Sequence, residues 1–243
     1  MNSDTLVAMY VPAFGNTIQN VDTPNCMIWT LNVAAPARMV VVGTNVYESS
    51  DSGANFSVLS PVGLAGPVAP CPSTPSASAV AYGHPSNVNV LYVGTHSGDL
   101  WLRTAAYPSP LVKVESYRSA GASAANGLAL DANDWQRVYV VDSNNQIWRT
   151  TNAGGAWANV SANLGLLISD MRTVAVASRS ATPGDVAVLV GGLGGVCYAT
   201  DTPSAGGLKW TRLDTLPNTI FSDVHYDATD DVVVSTLFKG FPC

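Results

Sequence analysis

The sequence predicts an all-β protein, a β-propeller of four-stranded blades, and three observations carry that expectation. First, five short apolar runs end in a small residue at a regular interval, with anchors at Gly43, Gly94, Val141, Gly191 and Ser235. Their spacing, about 48 residues, matches one propeller blade of roughly 40–50 residues. Second, only 12% of the 243 residues are charged, and just two of the acids are glutamates, Glu48 and Glu115. Surface helices lean on Glu and Lys, whereas short strands joined by Gly, Ser, Asn and Pro turns do not. Third, Ser49, Asp51, Gly53 and Phe56 recur at the same spacing as Thr150, Asn152, Gly154 and Trp157, and Asp201 with Trp210 marks a degenerate third copy.

Each repeat is expected to hold four strands. The inner strand comes first, as in 78–82 and 173–177, small and apolar where blades crowd together. The anchored run follows, apolar on both faces, as a strand between two sheets must be. A third strand such as 146–150 leads into the recurring turn, and an outer strand such as 156–160 completes the sheet. Turns over 84–87 and 132–135 join the first two strands and hold the residues that turns require. In the recurring turn, Asp51 and Asn152 accept backbone N–H bonds, Gly53 and Gly154 take positive φ, and the aromatic folds back as a seal. Blades are expected over roughly 26–60, 76–118, 125–161, 171–214 and 219–243. The run Thr5 to Val11 is an orphan strand; placed as the outer strand of the last blade, it closes a ring of five and removes an open edge.

The recurring turn resembles the Asp-box (BNR) repeat of sialidase-like, xyloglucanase-like and sortilin-like β-propellers, and the turn His84-Pro85-Ser86-Asn87 is similar to turns of that group. The likeness covers nearly the whole chain. It implies a short member of the group in which Ser49, Asp51, Gly53, Phe56, Thr150, Asn152, Gly154, Trp157, Asp201 and Trp210 are structural. Members of the group usually have more blades, and a segment like 226–234 often lies near the end of their ring. A piece of a larger propeller is therefore the rival to a complete ring of five.

Composition excludes several functions. With 11 basic against 17 acidic residues and no basic stripe, nucleic acid is not an expected partner. No run of about 18 apolar residues is present, so membrane insertion is not expected. Low Lys and Glu with abundant Ser, Thr, Asn and Gly favour an extracellular or cell-surface protein, although 1–5 do not read as a signal peptide. The four cysteines lack C-x-x-C spacing; Cys26 and Cys71, in polar Pro-flanked stretches, are the disulfide candidate, and Cys197 reads as a small buried hydrophobe. No cofactor loop is present, and no metal site is expected. His84 and His96 lie in one repeat and His225 in another, not at equivalent turns, and Asp227, Asp230 and Asp231 read as a solvated turn.

Catalysis finds little support. A sialidase would need an arginine triad, a Tyr–Glu pair and an Arg-Ile-Pro stretch; the stretch is missing, and Arg103 and Arg149 occupy equivalent repeat positions, as scaffold residues do. A xyloglucanase-like hydrolase would need two carboxylates facing across a cleft. Asp99 and Asp142, with His96 near Asp99, are the candidates, but that group places its cleft between two propellers. No residue is nominated as catalytic. Recognition remains: a non-catalytic binding module for glycans, on the propeller face or between blades. Sugar binding combines carboxylates and amides for hydroxyls with an aromatic for the apolar side of the ring. Trp101, Trp135, Trp148 and Tyr107 are the aromatics that strand spacing does not require to be buried. The expected ligand set is Trp135, Asp134, Asp142, Asp99, His96 and Trp101. The alternatives are a glycoside hydrolase relative or a fragment of one, and a structural or assembly scaffold. The expected partner is a glycan or a protein surface, and a homo-oligomer is compatible with either.

Overall fold

The structure, a computed structural model, describes residues 28–42, 45–59, 77–202, 207–214, 216–227 and 232–237. Among these the strands form four four-stranded sheets and one two-stranded sheet, all antiparallel and ordered as in the chain. The first sheet is β1 (Ile28–Leu31), β2 (Met39–Val42), β3 (Val46–Ser49) and β4 (Ser57–Val58). The second is β5 (Ala77–Tyr82), β6 (Leu91–Thr95), β7 (Leu100–Arg103) and β8 (Val112–Lys113). The third is β9 (Ala125–Asp131), β10 (Asp134–Asp142), β11 (Ile147–Thr150) and β12 (Ala158–Asn159). The fourth is β13 (Ser169–Ser178), β14 (Val186–Leu193), β15 (Gly195–Asp201) and β16 (Thr211–Arg212); β17 (Phe221–Asp227) and β18 (Val232–Leu237) make the last. The orphan run 5–11, the pair Cys26 and Cys71, and Asp230 and Asp231 lie outside the described residues.

The chain divides into two compact units, residues 1–97 with 101–113, and residues 98–100 with 114–243. In the first, Val40, Val42 and Val46 of one sheet pack on Tyr82, Leu91 and Val93 of the next. In the second, the middle sheet is covered on both faces. Val186, Val188 and Val190 of β14 join Tyr139, Val141 and Ile147 in one cluster, while Leu189 and Ala187 between them meet Phe221 and Val224 on the other side. Side chains alternate across a strand, so a run apolar at every position is what a strand between two sheets requires. Each Val or Leu so buried contributes about 1.5–3 kcal/mol before entropy is counted.

The two clear copies of the turn share one hydrogen-bond circuit. Ser49 Oγ donates to Asp51 Oδ1 at 2.8 Å and accepts from Gly53 N at 2.9 Å, and Asp51 Oδ1 accepts from Asn55 N at 2.9 Å. Thr150, Asn152, Gly154 and Ala156 repeat these contacts at 2.9, 3.0 and 2.9 Å. Gly53 and Gly154 sit at φ +88° and +84°, where a Cβ is strained. Phe56 is buried, and Trp157 packs edge-on against Tyr117 with ring centroids 5.1 Å apart. In the degenerate copy Asp201 is fully buried at the end of β15, where it accepts from Arg149, and residues 203–206 that follow lie outside the described ones.

Two local features depart from the sequence expectation. The turn expected over 132–135 is tighter: Asp131 accepts from Asn133 N, Asp134 accepts from Gln136 N, and β10 already begins at Asp134. Asp134 and Trp135 therefore stand on a strand, not in a loop. A five-residue helix, α1 (Glu115–Ser119), was not expected from so few glutamates; it begins without a side-chain cap. Its Ser116 hydroxyl donates to the Gly154 carbonyl, and its Tyr117 is the partner of Trp157, so tertiary contact supports a helix too short to stand alone.

Candidate functional site

Of the residues expected to bind ligand, Asp142 is taken up by the scaffold. Asp142 is fully buried, and its carboxylate accepts from Ser123 N, Asn144 N and Gln146 N at 2.9–3.0 Å and from the Trp148 indole at 2.9 Å. An ionised carboxylate has about four lone-pair sites, so none is left for a ligand. Asp142 holds the β10–β11 turn, and Trp148 is a buried partner of that turn, not a solvent-facing platform. Alanine at Asp142 is expected to cost about 2 kcal/mol by leaving these donors unpaired, read as a lower denaturation midpoint. Trp101 packs against the apolar cluster of the first unit. Asp99 pairs with Arg118 at 3.3 Å, and His96 is exposed in the β6–β7 turn. Trp135 and Asp134 are partly exposed at the start of β10. Among the described residues, no group of three or more His, Cys, Asp or Glu is placed to hold a metal ion, and no helix is long and apolar enough to cross a membrane.

A cleft of about 290 Å³ lies instead in the first unit, lined by Arg38, Glu48, Ser50, Ser57, Asn89 and Tyr107. Small-molecule sites run from roughly 300 Å³ upward, so it has room for a single sugar ring or a short stretch of a chain. Sheet geometry builds its floor. Glu48 on β3 and Arg103 on β7 each stand at the end of a third strand, just before a Ser or Thr, and adjacent sheets bring them face to face. Arg103 clamps both Glu48 oxygens at 2.8 and 2.7 Å. Arg38, just ahead of β2, donates to Glu48 at 2.8 Å and to Asn89 Oδ1 at 2.9 Å, with its guanidinium 5.5 Å above the Tyr82 ring. The Tyr82 hydroxyl donates to Glu48 as well. Tyr107, 53% exposed, stands at the rim.

The electrostatics of the floor follow from these contacts. Burial pushes the Glu48 carboxyl up, but hydrogen bonds from Arg103, Tyr82 and Arg38 outweigh it and hold the group down at about 2 from its ordinary 4.5. Burial, with the hydrogen bond to Glu48, pushes the Tyr82 phenol up to about 12. A Tyr–Glu pair flanked by two arginines is thus present, yet neither member is suited to attack: the phenol stays protonated, and the carboxylate is engaged on both oxygens. The second unit repeats the arrangement. Fully buried Asp201 on β15 accepts from Arg149 on β11 at 2.8 and 2.6 Å, from Tyr139 Oη at 2.6 Å and from Arg137 at 3.4 Å. A pattern that recurs between third strands is first of all a clamp between sheets.

Sequence reasoning named Tyr107 among the exposed aromatics but missed Arg38, Glu48, Asn89, Ser50 and Ser57. One signal was readable: Glu48 sits in a strand within the run Val46-Tyr47-Glu48-Ser49, and a carboxylate buried in a sheet requires a cation.

No protein-family model and no curated protein matches the sequence. Solved structures do. A GH74 xyloglucanase from Xanthomonas campestris is 18% identical with a TM-score of 0.59, covering 87% of this chain and 35% of that one. A GH74 enzyme of Niastella koreensis is 16% identical with a TM-score of 0.56, covering 86% and 28%. YCF48 from Cyanidioschyzon merolae is 15% identical with a TM-score of 0.50, covering 89% and 66%. The chain thus spans about a third of the length of these GH74 enzymes. At such identities the likeness shows the fold alone, and the chain has the propeller fold, built of four-stranded antiparallel sheets.

Proposed function

We propose that this protein binds glycans without turning them over, and that the cleft between the first two sheets is the binding site. The observation that carries the reading is the exposed ring of Tyr107 beside a cleft also lined by a guanidinium, a carboxylate, a carboxamide and two hydroxyls. An aromatic face takes the apolar side of a sugar, and the polar groups take its hydroxyls. Hydrolysis is disfavoured there. It needs a second carboxylate as acid or base, and among the described residues of the lining Glu48 is the one acid, held ionised by two arginines. The same reading takes the recurring turn as an Asp box and the chain as five blades, residues 5–11 completing the last, acting outside the cell or at its surface.

Binding measured on a glycan array and by titration, beside a reducing-sugar assay on β-glucans, tests the proposal. Tyr107→Ala is expected to weaken binding roughly tenfold, the size of one stacked aromatic, with an unchanged melting temperature. Affinity unaltered in that variant, or release of sugar, would overturn it. A second reading, a scaffold or peptide-docking protein, has one observation in its favour: Trp29, Leu31 and Val33, at alternate positions along and just beyond β1, are 59%, 46% and 74% exposed. YCF48 is also recorded bound to a peptide, with a TM-score of 0.50 to this chain.

A further inference from the structure

We infer that the cleft selects sugars that carry a carboxylate, uronic-acid residues within a polysaccharide, over their neutral counterparts; this rests on reading the cleft as a glycan site. Two guanidiniums, Arg38 and Arg103, face one carboxylate, Glu48, and Tyr82 adds no charge because its phenol stays protonated. The cluster therefore bears one net positive charge in a chain whose formal net charge is −6. Arg103 is sealed beneath, so the surplus is presented by Arg38, which lines the cleft. Arg38 is also fixed in place. Glu48 holds one of its terminal nitrogens, Asn89 the other, and the Tyr82 ring supports its plane. A guanidinium held this way meets a ligand carboxylate with little ordering cost, and hydrogen bonds between charged groups are about twice as strong as neutral ones. Asp51, the next acid along the chain after Glu48, is exposed and gives its oxygens to Ser49 and Asn55, not to Arg38. Because the molecule as a whole repels anions, a preference for an acidic sugar would have to arise locally, at Arg38.

The test compares trigalacturonic acid with its methyl ester, which keeps the sugar and removes the charge, by calorimetric titration at moderate salt. The wild-type protein should bind the acid on the order of tenfold more tightly than the ester. Arg38→Gln should bring the acid down to the affinity of the ester, and Arg38→Lys, which keeps the charge without the planar fork, should restore part of the preference. Arg103 still clamps Glu48 in both variants, so the fold persists, and a melting curve checks it. Equal affinity for acid and ester, or a preference that survives in Arg38→Gln, would overturn the inference while leaving a neutral-glycan site standing. Absence of binding to any glycan would instead remove the reading on which it rests.

Discussion

Glu48→Ala is expected to lower stability by about 3–5 kcal/mol, because it leaves Arg103 buried without a counter-ion and frees Arg38 and Tyr82 from their common acceptor. For a chain of this size each kcal/mol moves the melting temperature by about 2–4 °C, so the loss is visible in a thermal scan. The same group sets a pH dependence. Its carboxyl is held below its ordinary value in the folded protein, so its contribution is fully present above about pH 4.5 and drains away as pH falls toward about 2. The shift corresponds to about 3 kcal/mol. Urea denaturation at pH 6 and pH 3 should show this loss in the wild type and much less of it in Glu48→Gln, which has no proton to take up. An equal fall in both proteins would mean that the clamp does not govern the acid limb.

Trp210→Ala is expected to cost about 3–5 kcal/mol as well, through a different mechanism. Trp210 is buried in the main cluster of the second unit, its indole donates to the Val160 carbonyl at 3.0 Å, and its backbone N donates to Asn163 Oδ1 at 2.9 Å. Alanine removes a large ring and orphans the carbonyl. The defect should be insensitive to pH between 3 and 6, in contrast to the one at Glu48. Hydrogen exchange should report it first in β15 and β16, and protection retained there would show that the ring is not what holds these strands.

Local pattern was legible in the sequence, and assembly across sheets was not. Ser49, Asp51 and Gly53 bond within five residues of one another, so their spacing alone specifies the circuit. The apolar runs of β6 and β14 were equally readable, since burial on two faces keeps most of their positions apolar. Trp148 misled because strand spacing does not by itself require its burial, whereas its indole is consumed by Asp142 six residues away. Asp134 and Trp135 misled through turn-rich composition: the two Asx contacts at Asp131 and Asp134 shorten the connection enough for the strand to begin early. The cleft could not be read off at all. Its lining comes from positions 38, 48, 50, 57, 89 and 107, which meet only because two sheets stack, and no interval in the chain announces that meeting.

The two clamps run in opposite directions along the chain. In one the acid comes first, Glu48 before Arg103; in the other the base does, Arg149 before Asp201. Repeats of nearly equal length are therefore not interchangeable bricks. A copy of the third sheet inserted in place of the first would set one guanidinium against another and be repelled from that slot. Polarity thus works as an address that tells each repeat which neighbour to accept, a safeguard for a chain whose segments are otherwise alike enough to be mistaken for one another.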